Sequence, residues 1–273
     1  GACLLVMEFY PIIGLDLRHG VGPSRLWTLL YHTSPCWQYP ILKGARNMEP
    51  HIIETLEARI APEHTALLII DMQKDFLDPR GYFASLGESL EHTRRSVAPA
   101  SDALAAAREL GLTVVHTREG HRRDLSDLND CKRLRAARAG AAIGSPGPLG
   151  RLLVRDEEGW DFIDEMRPLA GEPVVDKCGN GAFYATDLEQ ILRSRGIRHL
   201  LLLGVTTDVC VSSTMREAND RGFDCLLLED CCGAARPDLH QGVLNSLERE
   251  GGIFGAYADS RAFFEQYRSA TAG

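Results

Sequence analysis

Nowhere in the 273 residues does an apolar run reach the about eighteen residues that a membrane-spanning helix requires. Basic residues are outnumbered, 30 Lys and Arg against 38 Asp and Glu. The resulting net charge of −8 lacks the positive footprint that general nucleic-acid binding needs. Paired C-x-x-C spacing is missing although the chain holds eight cysteines, which removes the usual zinc-site pattern. Those cysteines are scattered rather than packed into a short disulfide framework, so a reduced, cytoplasmic setting is expected. Internal repeats and low-complexity tracts are absent. What is present, 44% hydrophobic and 25% charged residues, fits a soluble globular protein with enough chain for a full core.

Charge is unevenly spread. Residues 1–47 carry Arg18, Arg25, Lys43 and Arg46 against Glu8 and Asp16, a balance of +2 that leaves −10 for the remainder. Leu4-Leu5-Val6 is too short for a signal-peptide core, while the low acidity leaves a transit peptide open. No helical or strand period is sustained there. Residues 1–47 are therefore expected to be a weakly ordered extension, dispensable for chemistry, and residues 48–273, from Met48, the folded domain.

From Thr65 onward, apolar runs alternate with helical patterns, which argues for βαβ units and a mostly parallel sheet of roughly six strands between helical layers. Strands are expected over Ala66–Asp71, Leu112–Thr117, around Pro173–Asp176, His199–Val205, Cys225–Glu229 and Ile253–Tyr257. Val97 to Leu110 reads as a helix that Gly111 stops. Thr186-Asp187-Leu188-Glu189 reads as a capping box. Pro237 opens a helix running to Leu247. Residues 119–173 form a long, irregular insertion of the kind that usually serves function.

Cys210 follows the run His199–Val205 and the link Thr206-Thr207-Asp208-Val209, just before a helix-like run from Val211 to Arg221. A strand-to-helix turn at the carboxyl edge of a parallel sheet is where open α/β folds bind ligands. Backbone N–H groups at a helix start also lower a thiol's pKa and hold an oxyanion. A lone Cys is as often a core filler, but two further residues converge on the same edge. Asp71 directly ends the strand Ala66–Ile70, and Lys177 follows Pro173-Val174-Val175-Asp176. An acid/base, a fixed cation and a thiol suit amide hydrolysis through a covalent intermediate.

Three segments carry a resemblance beyond this spacing. Asp71-Met72-Gln73-x-Asp75-Phe76, Lys177, and Gly204-Val205-Thr206-Thr207-Asp208-Val209-Cys210-Val211 resemble the isochorismatase-like cysteine hydrolases. Over about Glu63 to Tyr257 the chain is most similar to the biuret hydrolase branch of that family. The similarity includes His116–His121, Thr214–Gly222 and Leu226–Ala234. It implies an Asp71-Lys177-Cys210 triad, no cofactor and no metal, a homo-oligomer (a tetramer), and a cis peptide between Val205 and Thr206. Around the triad it places Gln73, Phe76, Val205 and Thr206 as oxyanion and substrate contacts. The expected reaction cleaves a terminal carbamoyl C–N bond of a small acylurea, biuret or triuret, and releases ammonia.

Glu250 occupies the position of a substrate-contacting glutamine in that branch. A carboxylate only accepts hydrogen bonds, which favours the longer triuret with its additional N–H groups. Related amides are the alternatives: ureidoacrylate, or nicotinamide, whose hydrolases cluster Asp and His metal ligands that are not found here. A non-enzymatic α/β scaffold would have no need of all three triad residues. His116 and His121 are expected to be structural or pocket donors, and Cys225 core. Gly179-Asn180-Gly181 lacks the third glycine of a dinucleotide fingerprint, Tyr184 standing in its place. It is expected to be a flexible turn that lets substrate reach Lys177.

Overall fold

The computed structural model describes residues 61–271. The expected boundary between residues 47 and 48, and the character assigned to residues 1–47, lie outside the described residues.

Six strands form one parallel sheet: β1 (Thr65–Ile70), β2 (Thr113–Glu119), β3 (Val174–Lys177), β4 (His199–Val205), β5 (Asp224–Gly233) and β6 (Ala256–Ala258). Their spatial order is β3-β2-β1-β4-β5-β6, the doubly wound arrangement in which the order reverses between β1 and β4. Helices cover both faces. In chain order they are α1 (Lys74–Leu77), α2 (Tyr82–Ser85), α3 (Glu91–Arg95), α4 (Val97–Glu109), α5 (Asp130–Arg138), α6 (Leu188–Ser194), α7 (Ser212–Asp220), α8 (Pro237–Leu247) and α9 (Ser260–Thr271). None of these described helices is long and apolar enough to cross a membrane.

The two central strands are buried over their whole length, which is why both read as continuous apolar runs rather than alternating ones. β1 and β4 pair in register from Thr65 against His199 to Ile70 against Gly204. Gly204 has φ +125°, and a Cβ there would stand 2.1 Å from the Ile70 carbonyl oxygen. Only glycine lets the two strand ends approach so closely, and the chain leaves β1 into Asp71 and β4 into the Cys210 turn from that point.

Element boundaries differ from expectation in several places: β5 runs on past Glu229 to Gly233, paired with the end of β4 at Cys232 and Gly233, and three further shifts have a local reason. α6 begins with Asp187 as its N-cap, one residue later than the capping box requires. Thr186 Oγ1 donates instead to Ala182 O at 2.6 Å, and Glu189 pairs with Arg221 at 3.1 Å. β6 is shorter than Ile253–Tyr257, because residues 249–252 form a turn with Gly252 at φ +86° that leaves Ile253 exposed. β2 runs on past Thr117 to Glu119, pairing with Lys177 of β3. By contrast, α4 stops as read, with Gly111 at φ +70° and Leu112 N donating to Ala107 O at 3.0 Å.

The insertion is organised rather than loose. It supplies α5, capped by Asn129, whose side chain accepts from Lys132 N at 2.9 Å. A short antiparallel hairpin follows, Pro146–Gly147 against Gly150–Arg151. Asp75 ties this segment to the sheet. One of its carboxylate oxygens accepts from Tyr82 N at 3.0 Å and the other from Leu153 N at 3.1 Å. Burial pushes the Asp75 carboxyl up to about 6, against the pull of those two donors. Replacing Asp75 with Ala would strand both buried N–H groups, at about 1–3 kcal/mol each. We expect a clear drop in the thermal midpoint and a raised KM, since Tyr82 and Leu153 border the cleft described next. An unchanged midpoint would mean the insertion is anchored elsewhere.

Candidate active site

At the carboxyl edge, where β1 and β4 diverge, a cleft of about 450 Å³ opens onto Cys210. Phe76, Tyr82, Phe83, Ile143, Leu153 and Val209 make its apolar wall; Glu119, Asn129, Lys132, Arg135, Asn180 and Thr206 supply polar groups. Apolar walls with few placed polar groups are what small-molecule sites have in common.

The ends of β1, β2 and β3 and the turn after β4 each contribute one charged or nucleophilic side chain. Asp71 leaves β1 at φ +51°, a left-handed conformation Asp tolerates better than most residues. Thr117 holds it there: its hydroxyl accepts from Asp71 N at 3.2 Å and donates to Asp71 Oδ1 at 2.6 Å. Lys177 ends β3 and is completely buried. Its ammonium lies 2.8 Å from Asp71 Oδ2, 3.1 Å from Glu119 Oε2 and 3.5 Å from Cys210 Sγ. The carbonyls of Gly179 and Asn180 grip it from the other side at 2.9 and 3.0 Å. The Gly179-Asn180-Gly181 turn thus wraps Lys177 rather than opening a path to it.

Cys210 sits in a wide π-helical turn, Thr207–Val211, that precedes α7; such turns recur at functional sites. Val211 N donates to Thr206 O at 3.2 Å, and Thr214 Oγ1 to Cys210 O at 2.7 Å. The peptide between Val205 and Thr206 is cis. Sγ donates to Glu119 Oε2 at 3.1 Å. The sequence places Glu119 in the His116–His121 segment and at the start of the insertion without a role in the site, yet its carboxylate accepts the thiol's hydrogen bond. Its other oxygen lies 2.6 Å from Lys132 Nζ, and Lys132 also donates to Cys178 O at 2.8 Å.

Burial and charge divide the two carboxylates. Desolvation raises the Asp71 carboxyl, against the pull of Lys177. Glu119 is as deeply buried, but Lys177 and Lys132 together overcome desolvation and bring it down to about 2. Desolvation drives the Cys210 thiol well up, reinforced by Glu119 and Asp71 and opposed by Lys177. Lys177 is held charged, its three anionic or polarisable neighbours outweighing burial. Asp71, Glu119 and Cys210 each present one ligand-type atom within 4.8 Å of the others. The Lys177 ammonium already stands among them, so a metal ion has no room to use this set.

Of the other expected contacts, Phe76 and Thr206 line the cleft, and Val205 is buried behind it. Gln73 faces away from substrate. Its amide donates to Glu119 O at 2.9 Å and Trp160 O at 2.8 Å and accepts from Glu119 N at 2.7 Å, so its role is to fix Glu119's backbone. Glu250 lies on the exposed turn after α8, at φ +53°, and is not among the cleft's lining residues. His116 and His121 are buried structural groups, bonded to Glu172 and Asp127, and Cys225 is core.

The isochorismatase domain matches residues 65–259, the span that contains every strand end just described. The chain belongs to the isochorismatase family. Among its relatives is the ureidoacrylate amidohydrolase RutB of Cronobacter sakazakii, 32% identical over 228 residues that cover 77% of this chain and 93% of the relative. A cysteine hydrolase from Pseudomonas syringae pv. phaseolicola superposes with a TM-score of 0.65 at 26% identity, over 78% of this chain and 97% of the other. The N-carbamoylsarcosine amidase of Thermoplasma acidophilum superposes with a TM-score of 0.55 at 27% identity, over 72% and 96% of the two chains.

Proposed function

We propose that this isochorismatase-family chain is a cofactor-independent cysteine amidohydrolase that removes ammonia from the terminal carbamoyl group of a small ureido acid. The observation that carries the amidase reading is the buried set in which Lys177 Nζ reaches Asp71, Glu119 and Cys210 at once, at the floor of an open cleft. Sγ attacks the carbamoyl carbon as the thiol proton passes to Asp71, the carboxylate whose proton affinity burial raises. The oxyanion is assigned to the backbone N–H groups of Thr206 and Cys210, which border the cleft. The C–N bond then breaks, the leaving nitrogen takes the proton from Asp71, and ammonia departs. Water attacks the S-carbamoyl carbon, the C–S bond breaks, and the water's proton returns to sulfur. The net change is a ureido compound plus water to a carbamic acid plus ammonia.

Choice among ureido substrates turns on charge. Triuret was favoured only by Glu250, which does not line the cleft. Lys177 and Lys132 are balanced by Asp71 and Glu119. Arg135 is the remaining charged group of the cleft lining and makes no ion pair with any described residue. A cation without a counter-charge at the rim suits a substrate with a carboxylate at the end away from the scissile bond. Ureidoacrylate and N-carbamoylsarcosine, named in the relatives, both pair a carbamoyl group with a carboxylate; biuret and triuret do not. Ammonia release from ureidoacrylate, biuret, triuret and nicotinamide should be fastest with ureidoacrylate. Arg135→Ala should raise its KM about 10–100-fold, the worth of one charge-assisted contact, with little change in kcat. Faster turnover of biuret or triuret by the unaltered chain would refute the ureido-acid assignment.

A further inference from the structure

We propose that Glu119 is a fourth catalytic residue, a carboxylate that receives the Cys210 S–H and keeps the resting nucleophile protonated and aimed until substrate enters. It takes Cys210 as the nucleophile and so rests on the amidase reading above. Three observations support it. The S–H donates to Glu119 Oε2 at 3.1 Å, while the sulfur accepts from Lys177 Nζ at 3.5 Å. Gln73 and Lys132 lock the residue from both ends, the first through backbone N and O, the second through Oε1. Finally, the fixed charges around the thiol come from separate elements and pair off: Asp71 from β1 and Glu119 from β2 against Lys177 from β3 and Lys132 from α5, while exposed Arg135 of α5 stays out at the cleft rim.

With a neutral thiol, Asp71, Glu119, Lys177 and Lys132 balance, two charges of each sign. A resting thiolate would add an uncompensated negative charge beside Glu119 in a buried site. Pairs of carboxylates whose surroundings push them apart take different tasks. Lys132 and Lys177 keep Glu119 ionised, so it serves as a fixed acceptor, while Asp71 exchanges the proton. The thiol is thereby shielded from adventitious electrophiles and released for attack when a carbonyl carbon displaces it from Glu119.

The test uses iodoacetamide on the full chain, with Cys210 alkylation followed by peptide mass spectrometry, because Cys131 and Cys178 are also accessible in part. Glu119→Gln keeps the side chain's shape and removes its charge. At pH 7 Cys210 should alkylate at least ten times faster than in the unaltered chain, with the pH profile moved to lower pH. Lys132→Met removes the opposite charge from the same pair and should slow alkylation. Simple loosening of the site would move both variants the same way. Any other pair of signs, including no change in either, overturns the proposal. Should the Glu119 variant not fold, Lys132→Met alone decides, slower for and unchanged or faster against. Alkylation needs no substrate, so a wrong substrate class would leave this result intact.

Discussion

Cys210→Ser is expected to lower ammonia release by roughly 10⁴-fold or more while leaving the thermal midpoint nearly unchanged. Serine is close to isosteric, and the buried site holds Cys210 by its backbone, through the π turn and Thr214, as well as by the thiol. An alcohol has a far higher pKa than a thiol, and the site already opposes anion formation at this position through burial and two carboxylates. On the proposed mechanism Asp71 takes the proton of a thiol, and an alcohol holds its proton too tightly for a carboxylate to remove. Substantial turnover by the Ser variant would remove Cys210 from the nucleophile's role and return the mechanism to water activated by a carboxylate.

How far the sequence carried depended on how each residue is placed. Asp71 and Cys210 were legible because continuous apolar runs define β1 and β4, and the residue after a fully buried strand must lie at its end. Lys177 followed from the same rule applied to β3. Glu119 obeys that rule as well, but β2 alternates into polar residues after Val115, so its carboxyl end read as Thr117 and the last pair of the strand was missed. Lys132 and Arg135 sit on a helix inside an insertion without apolar periodicity, and only the fold shows which way that helix turns its basic face. Gln73 is the reverse case. Its amide is used up by backbone groups at Glu119 and Trp160, 46 and 87 residues away, a pairing that no local pattern encodes. Glu250 was misplaced because a helix end gives position along the chain, whereas the left-handed turn that follows decides where the side chain points.

Lys177→Met should be both inactive and destabilised, by about 3–5 kcal/mol, which is the range for leaving a buried charge without its partner. For a chain of this size the midpoint would fall on the order of 10 °C. The deficit should depend on pH in a defined direction. Asp71 is already raised above 3.8 in the presence of Lys177, and losing the ammonium raises it further. A carboxyl raised on folding contributes stability that is fully present below its unfolded value and lost as pH rises through the folded value. Glu119, lowered from 4.5 to about 2, contributes above 4.5 and is constant from pH 5 to 8. Lys177, raised above 10.5, is likewise fully charged across that window in the unaltered chain. The gap in midpoint between the two proteins should therefore shrink as pH falls from 8 to 5, because protonated Asp71 no longer needs a cation. A gap that is flat or widens toward acid would show that Lys177 is held by the Gly179 and Asn180 carbonyls rather than by Asp71, and the ammonium would then be a structural plug instead of the counter-charge of the catalytic set.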